Sequence, residues 1–251
     1  MQLEGKRALV TGAGRGLGLA IATKFAEYGA QVALADLDHA TCTEAASGLG
    51  GDAFAVNCDV TRSADVQAAI VAVTERFGGM DVIVNNAGIE IGKPLHEISD
   101  EEFDRLMRIN VNGVFYGIKY AVPALAATRG SIINMSSVAG LGGVPLLGAY
   151  CASKAAVIRL TQTAATELRE AGIRVNAVCP AFIDTEMVQR LVAPFEAATG
   201  AEFGALAQQA QGRLGTPEEV AETVAFLASD DAKWVNGAAY ILDNALTASV
   251  L

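Results

Sequence analysis

The sequence predicts an α/β fold: a doubly wound parallel sheet of about seven strands, in a single domain over residues 1–251. Three observations predict it. Seven short runs rich in β-branched and apolar residues recur along the chain, helical patterns separate them, and no Pro/Ser-rich linker, charge block or internal repeat divides the whole. The runs are RALV (7–10), QVALA (31–35), AFAVNCDV (53–60), DVIVNNAG (81–88), SIINMSS (131–137), IRVNAVCP (173–180) and AAYILD (238–243). Near-continuous apolar strands are those buried on both faces, and parallel neighbours need crossovers that cover the sheet. The first crossover carries Leu17, Ile21, Phe25 and Tyr28 on one helical face and stops at Gly29. With 251 residues and 52% hydrophobic composition, the chain has enough apolar material for one large core. The longest irregular-looking stretch, about 181–215, is expected to be a functional lid.

The net charge of −10 argues against nucleic acid or an anionic membrane as partner, because both are bound through Lys and Arg. Cys42, Cys58, Cys151, Cys179, His39 and His96 show no metal-ligand spacing, so no metal site is expected. The N-terminus has no apolar signal core and no run approaches a membrane span, which leads to the expectation of a cytoplasmic protein.

Residues 7–36 have the length and pattern of one βαβ unit, and its turn reads VTGAGRGLG, with glycines at 12, 14, 16 and 18. Leu17 stands where the G-x-G-x-x-G spacing would put the third glycine. In a Rossmann-like unit such glycines supply backbone angles closed to other residues and let the main chain approach a pyrophosphate, which the helix start then attracts. Asp36 ends the second strand, where a carboxylate accepts from both ribose hydroxyls and repels a 2′-phosphate, favouring NAD over NADP. Arg15 is the counter-signal, since a guanidinium there suits that extra phosphate.

Tyr150 and Lys154 are four residues apart, hence on one helical face. A free phenol titrates near ~10, so a tyrosine serving as a base near neutrality needs a cation beside it. Ser137, at a strand end, is placed to hydrogen-bond a substrate oxygen. Taken singly, Y-x-x-x-K and a serine pair are common in helices and turns; their order and spacing give them weight.

Thr11-Gly12-x-x-x-Gly16-x-Gly18, the Asn85-Asn86-Ala87-Gly88 run, and Tyr150-x-x-x-Lys154 with Ser137 thirteen residues before the tyrosine resemble the short-chain dehydrogenase/reductase family in its compact single-domain branch, over about residues 5–243. The resemblance implies that Tyr150 is the general acid/base, that Lys154 lowers its pKa and binds the nicotinamide ribose, and that Ser137 orients the substrate. Asn110 matches the family's helix asparagine that holds a water in a proton relay to Lys154. Asp59 would meet the adenine, and Ile183 and Thr185 the nicotinamide carboxamide. The full cofactor set so implied is Gly12, Arg15, Gly16, Leu17, Gly18, Asp36, Leu37, Asp59, Val60, Asn86, Ala87, Gly88, Tyr150, Lys154, Pro180, Ile183 and Thr185. The chain departs from the family at Ala181 and at Asn244–Ala245, where glycines are usual, and an altered backbone is expected at both places.

Leu141, Val144, Leu147, Met187, Val188, Leu191 and Phe195 are candidate substrate-pocket residues beside Ser137 and Tyr150, which points to a lipophilic secondary alcohol or its ketone. The helix over 152–167 is apolar around much of its girth and is expected in a subunit interface. The resemblance implies a homotetramer, and the apolar tail 245–251 is expected to cross to a neighbour. Two other functions stay open: an NADPH-dependent 3-oxoacyl-carrier-protein reductase, and a dinucleotide-sensing scaffold without catalysis.

Overall fold

The computed structural model describes residues 2–248. All seven predicted runs are strands: β1 Arg7–Thr11, β2 Gln31–Asp36, β3 Phe54–Asn57, β4 Val82–Asn85, β5 Ser131–Met135, β6 Arg174–Pro180 and β7 Ala239–Leu242. They pair only in parallel, in the order β3-β2-β1-β4-β5-β6-β7. The order reverses between β1 and β4, and the crevice beyond the carboxyl ends of those strands is where such sheets bind ligands.

Between the strands run α1 (Gly16–Glu27), α2 (His39–Leu49), α3 (Ser63–Phe77), α4 (Asp100–Met107), α5 (Gly113–Thr128), α6 (Gly148–Glu167), α7 (Glu186–Thr199), α8 (Phe203–Gln211) and α9 (Pro217–Ala228). Strand alternation sends Ala8, Val10, Val32, Leu34, Val82, Val84 and Ile133 to the face covered by α1, α2 and α9. Leu9, Ala33, Ala35, Ile83, Ile132 and Val175 pack on the other face under α3, α5 and α6. Burial on both faces explains why these strands read as continuous apolar runs. Helix α1 buries Ile21 and Phe25 as its spacing predicts. It ends ahead of Gly29, whose φ of +91° suits glycine alone.

The stretch 181–215 differs from its irregular appearance in the sequence: it folds as α7 and α8. Val188, Val192 and Phe195 repeat at helical spacing and close a small core with Phe203 and Ala207. Phe203 stacks edge-on against Phe195 at 5.6 Å and Phe182 at 5.2 Å. The buried Gln211 side chain fastens the base of this subassembly by accepting from the Phe182 N–H at 3.1 Å and donating to the Phe182 carbonyl at 2.8 Å. Helix α6 buries Ala149, Val157, Ile158, Thr161, Ala164 and Ala165 and leaves Ala152, Arg159 and Thr163 exposed. Residues 249–251 of the apolar tail lie outside the described residues.

Phe25 is fully buried between α1 and the sheet. Phe25→Ala should destabilise the fold by about 3–5 kcal/mol, measured as a lowered midpoint in urea with an unchanged slope.

Candidate active site

The carboxyl ends of β1, β2, β4, β5 and β6 open into one cleft of about 540 Å³, lined by Gly12, Arg15, Gly16, Leu17, Gly18, Asp36, Leu37, Asp59, Val60, Asn86, Ala87, Gly88, Ser137, Tyr150, Lys154, Pro180, Ile183 and Thr185 among others. The sequence-derived cofactor set is thus brought together. Gly12 and Gly16 lie at φ of +64° and +54°. Gly18, displaced by one position from the usual spacing, performs the close packing: a side chain there would collide with the Gly12 carbonyl and come within 2.6 Å of Asn86 Nδ2. The Asn86 amide in turn donates to the carbonyls of Thr11 (2.9 Å) and Gly12 (3.1 Å), stapling the loop to the end of β4.

Helix α1 begins at this loop with no side-chain cap and no acidic residue in its first turn, so its leading N–H groups face the cleft uncompensated. That suits a pyrophosphate. Asp36 accepts the Gly14 N–H at 2.9 Å and the Asp38 N–H at 3.0 Å, which fixes its carboxylate beside the loop. Arg15 lies 4.0 Å from Asp38 and 3.8 Å from Glu186, between two carboxylates. Asp59 holds the Thr61 N–H and hydroxyl at 2.9 and 2.7 Å.

On the other side of the switch point, α6 presents Tyr150 and Lys154 to the same cleft. The Lys154 Nζ stands 5.5 Å from the centroid of the Tyr150 ring and donates to the Met135 carbonyl at 2.8 Å. Ser137 leaves β5, accepts the Ala139 N–H and donates to the Pro180 carbonyl, both at 3.2 Å. Asn110, placed in a π-helical turn (Arg108–Asn112), does not line the cleft. Its carboxamide is occupied, accepting the Ile89 N–H and donating to the Ile89 carbonyl and Ser153 Oγ. These contacts fix the loop after β4 against the π-helical turn.

Val144, Leu147, Met187, Val188 and Leu191 form the apolar wall as expected. Two candidates do not. Leu141 is 44% exposed on the loop after β5 and lies outside the lining, and Phe195 packs inside the α7–α8 core. Sequence reasoning missed Glu90, Arg105, Glu186 and Arg190, which bring four further charges into the cleft. The signal for Glu90 was its place directly after Asn-Ala-Gly-Ile, and for Arg190 its spacing of four from Glu186 on α7. Of the departures from glycine, Ala181 takes no left-handed conformation, whereas Asn244 (φ +44°) and Ala245 (φ +71°) keep one without glycine. Asn244 is held there by donating to the Gln211 carbonyl at 2.8 Å.

The family model described as Enoyl-(Acyl carrier protein) reductase matches residues 12–247. A 2-(S)-hydroxypropyl-CoM dehydrogenase from Xanthobacter autotrophicus is 40% identical over 98% of each chain. Galactitol 2-dehydrogenase from Agrobacterium fabrum is 41% identical over 97% of this chain and 98% of its own. A short-chain type dehydrogenase/reductase from Mycobacterium marinum, solved as a crystal structure, superposes with a TM-score of 0.90 at 36% identity, covering 99% of this chain and 98% of its own. The chain is a short-chain dehydrogenase/reductase. Members of this family are oxidoreductases that use a nicotinamide dinucleotide.

Electrostatics set the resting state of the site in this short-chain dehydrogenase/reductase. Burial pushes the Tyr150 phenol above its ordinary range; the neighbouring Ser137 hydroxyl opposes the rise and Glu90 adds to it. Burial also lowers Lys154 to about 8, because its ammonium has little water around it. The unfolded lysine titrates near 10.5, so between those two values the unfolded chain binds the extra proton and stability rises with pH. Relative to Lys154→Met, the wild type should gain up to about 3 kcal/mol between pH 8 and 10.5. Urea unfolding of both proteins across that range measures it, and a constant difference would show that the ammonium is not desolvated.

Proposed function

We propose that this chain is an NAD-dependent dehydrogenase and ketone reductase acting on a secondary alcohol, with Tyr150 as general acid/base, Lys154 as its electrostatic support and Ser137 as the substrate-orienting hydroxyl. The observation that carries it is the placement of Tyr150 and Lys154, from one face of α6, in the cleft that the glycine loop also lines. The relatives agree in chemistry, since the names of both describe dehydrogenases.

In the oxidative direction the Ser137 hydroxyl exchanges its Pro180 contact for the substrate oxygen. The Tyr150 phenolic oxygen takes the carbinol proton as the C–H bond gives up its hydride. A nicotinamide dinucleotide, which the glycine loop, Asp36 and Lys154 would hold, would supply the hydride acceptor and, when oxidised, a positive charge that favours phenolate. Lys154 has one N–H engaged by Met135, and its remaining donors face the cleft, suited to a ribose hydroxyl. Its charge favours phenolate over phenol and opposes the effect of burial. Asn110 positions the loop after β4 and so the wall beside Tyr150.

NAD is favoured over NADP by Asp36, which lines the cleft beside the glycine loop, and by the acids that flank the exposed Arg15, Asp38 at 4.0 Å and Glu186 at 3.8 Å. The same pairing weighs against an NADPH-dependent carrier-protein reductase. The α7–α8 segment acts as the lid. Four buried free thiols suit a reducing cytoplasm, and membership of the family suits a homotetramer.

Tyr150→Phe should lower kcat by about a thousandfold or more while the dinucleotide Kd, read by fluorescence titration, stays within about threefold. Full activity in this variant would remove the mechanism. Asp36→Ala should shift the ratio of kcat/KM for NADP over NAD upward by about tenfold or more; an unchanged ratio would show that Asp36 does not read the ribose.

A further inference from the structure

The apolar wall of the cleft, formed by Val144, Leu147, Val188 and Leu191, contains one charged pair that the mechanism does not use. Arg190 on α7 donates through Nε to Glu90 Oε1 at 3.0 Å and through Nη2 to Oε2 at 3.4 Å. The Glu90 side chain is only 8% exposed, so its carboxylate has lost most of its water, whereas the Arg190 side chain is 59% exposed and still meets solvent at the cleft mouth. A monofunctional lipophilic alcohol would offer the buried carboxylate no hydrogen bond in place of the water it has lost.

We propose that the Glu90–Arg190 pair reads a second hydroxyl on the substrate, so that the preferred substrate is a neutral diol or polyhydroxylated secondary alcohol, or the corresponding hydroxyketone. This rests on the dehydrogenase function proposed above and refines its substrate class. A carboxylate and a guanidinium side by side present an acceptor next to a donor, and a hydroxyl is the smallest neutral group that answers both at once. The capacity is there. Arg190 takes up two of the carboxylate's roughly four lone-pair sites, and its own Nη1 approaches Glu186 at 3.9 Å, beyond hydrogen-bond distance.

Charged substrates fit less well. Arg190 stands between Glu90 and Glu186, whose carboxylates repel an anion, and a cation approaching Glu90 meets the guanidinium first. Across the whole cleft the acids Asp36, Asp59, Glu90 and Glu186 are matched by Arg15, Arg105, Lys154 and Arg190, so its net field favours neither sign. The site therefore selects by hydrogen bonding.

The test compares matched pairs that differ by one hydroxyl: hexane-3,4-diol against hexan-3-ol, and pentane-2,4-diol against pentan-2-ol, each followed by nicotinamide absorbance. For the wild type, kcat/KM on at least one diol should exceed that on its mono-alcohol by about tenfold or more, the scale of a hydrogen bond to a charged group. The double variant Glu90→Leu/Arg190→Leu removes the pair without leaving one buried charge alone, and should bring that ratio to about one. A wild-type ratio at or below one for both pairs, with turnover intact, overturns the inference and spares the dehydrogenase function; that arm needs no variant to fold. Retention of the diol preference in the double variant also overturns it, because the hydroxyl is then read elsewhere. Absence of nicotinamide reduction with all four alcohols overturns the dehydrogenase function and this inference with it.

Discussion

A buried lysine is the constraint around which the α6 side of the cleft is arranged. Lys154 is 4% exposed, and α6 holds it there by pressing against the end of β5. The contact is made by backbone as much as by side chain. Ser136 Oγ donates to the Lys154 carbonyl at 2.8 Å, Lys154 Nζ donates to the Met135 carbonyl, and a side chain at Gly140 would come within 2.7 Å of the Lys154 carbonyl carbon. Helix, strand end and turn are thus locked in one register. The desolvation that this imposes on Lys154 costs stability, and the double-sided core of the sheet offsets it.

The cofactor side is held by a different device serving the same end. Thr11 Oγ1 accepts the N–H groups of Asn86 and Ala87 at 3.0 and 3.1 Å, and the Asn86 amide returns two bonds to the loop after β1. Strands β1 and β4 flank the switch point, so this exchange fixes the crevice walls independently of any side chain on the lid. Farther along the sheet, Asn85 donates to Asn134 and Asn134 to Thr161, tying β4 through β5 to α6. Glycine loop and Tyr150 are therefore connected by buried hydrogen bonds rather than by surface contacts.

Much of this was legible in the sequence because β1, β2, β4, β5 and β6 are buried on both faces and read as uninterrupted apolar runs, while the edge strands β3 and β7, only partly buried, still carry apolar and β-branched residues between turns. The positions of Gly12, Asp36, Ser137, Tyr150 and Lys154 were legible because each sits at a strand end or helix start that the alternation pattern locates. The 181–215 stretch was not, since its glycines and its short helices masked the 3.6-residue repeat of Val188, Val192 and Phe195. Leu141 and Phe195 are not brought to the cleft, because apolar character alone does not say which way a residue faces. Glu90 and Arg190 were missed for a related reason: they are 100 residues apart and meet only when α7 folds over the loop after β4. Asn110 could be named from its place in the chain, whereas the engagement of its carboxamide by Ile89 and Ser153 follows from tertiary contacts that spacing does not encode.

The proposed mechanism requires that Lys154, buried beside Tyr150, make the phenol a usable base once the cleft is filled. The most direct measurement is an ultraviolet phenolate titration of the wild type minus Tyr150→Phe, recorded without and with saturating oxidised dinucleotide. On the proposed mechanism the Tyr150 midpoint lies above the ordinary phenol range in the free protein and falls by several pH units on saturation. A midpoint that stays where it was, with the dinucleotide demonstrably bound, would contradict it.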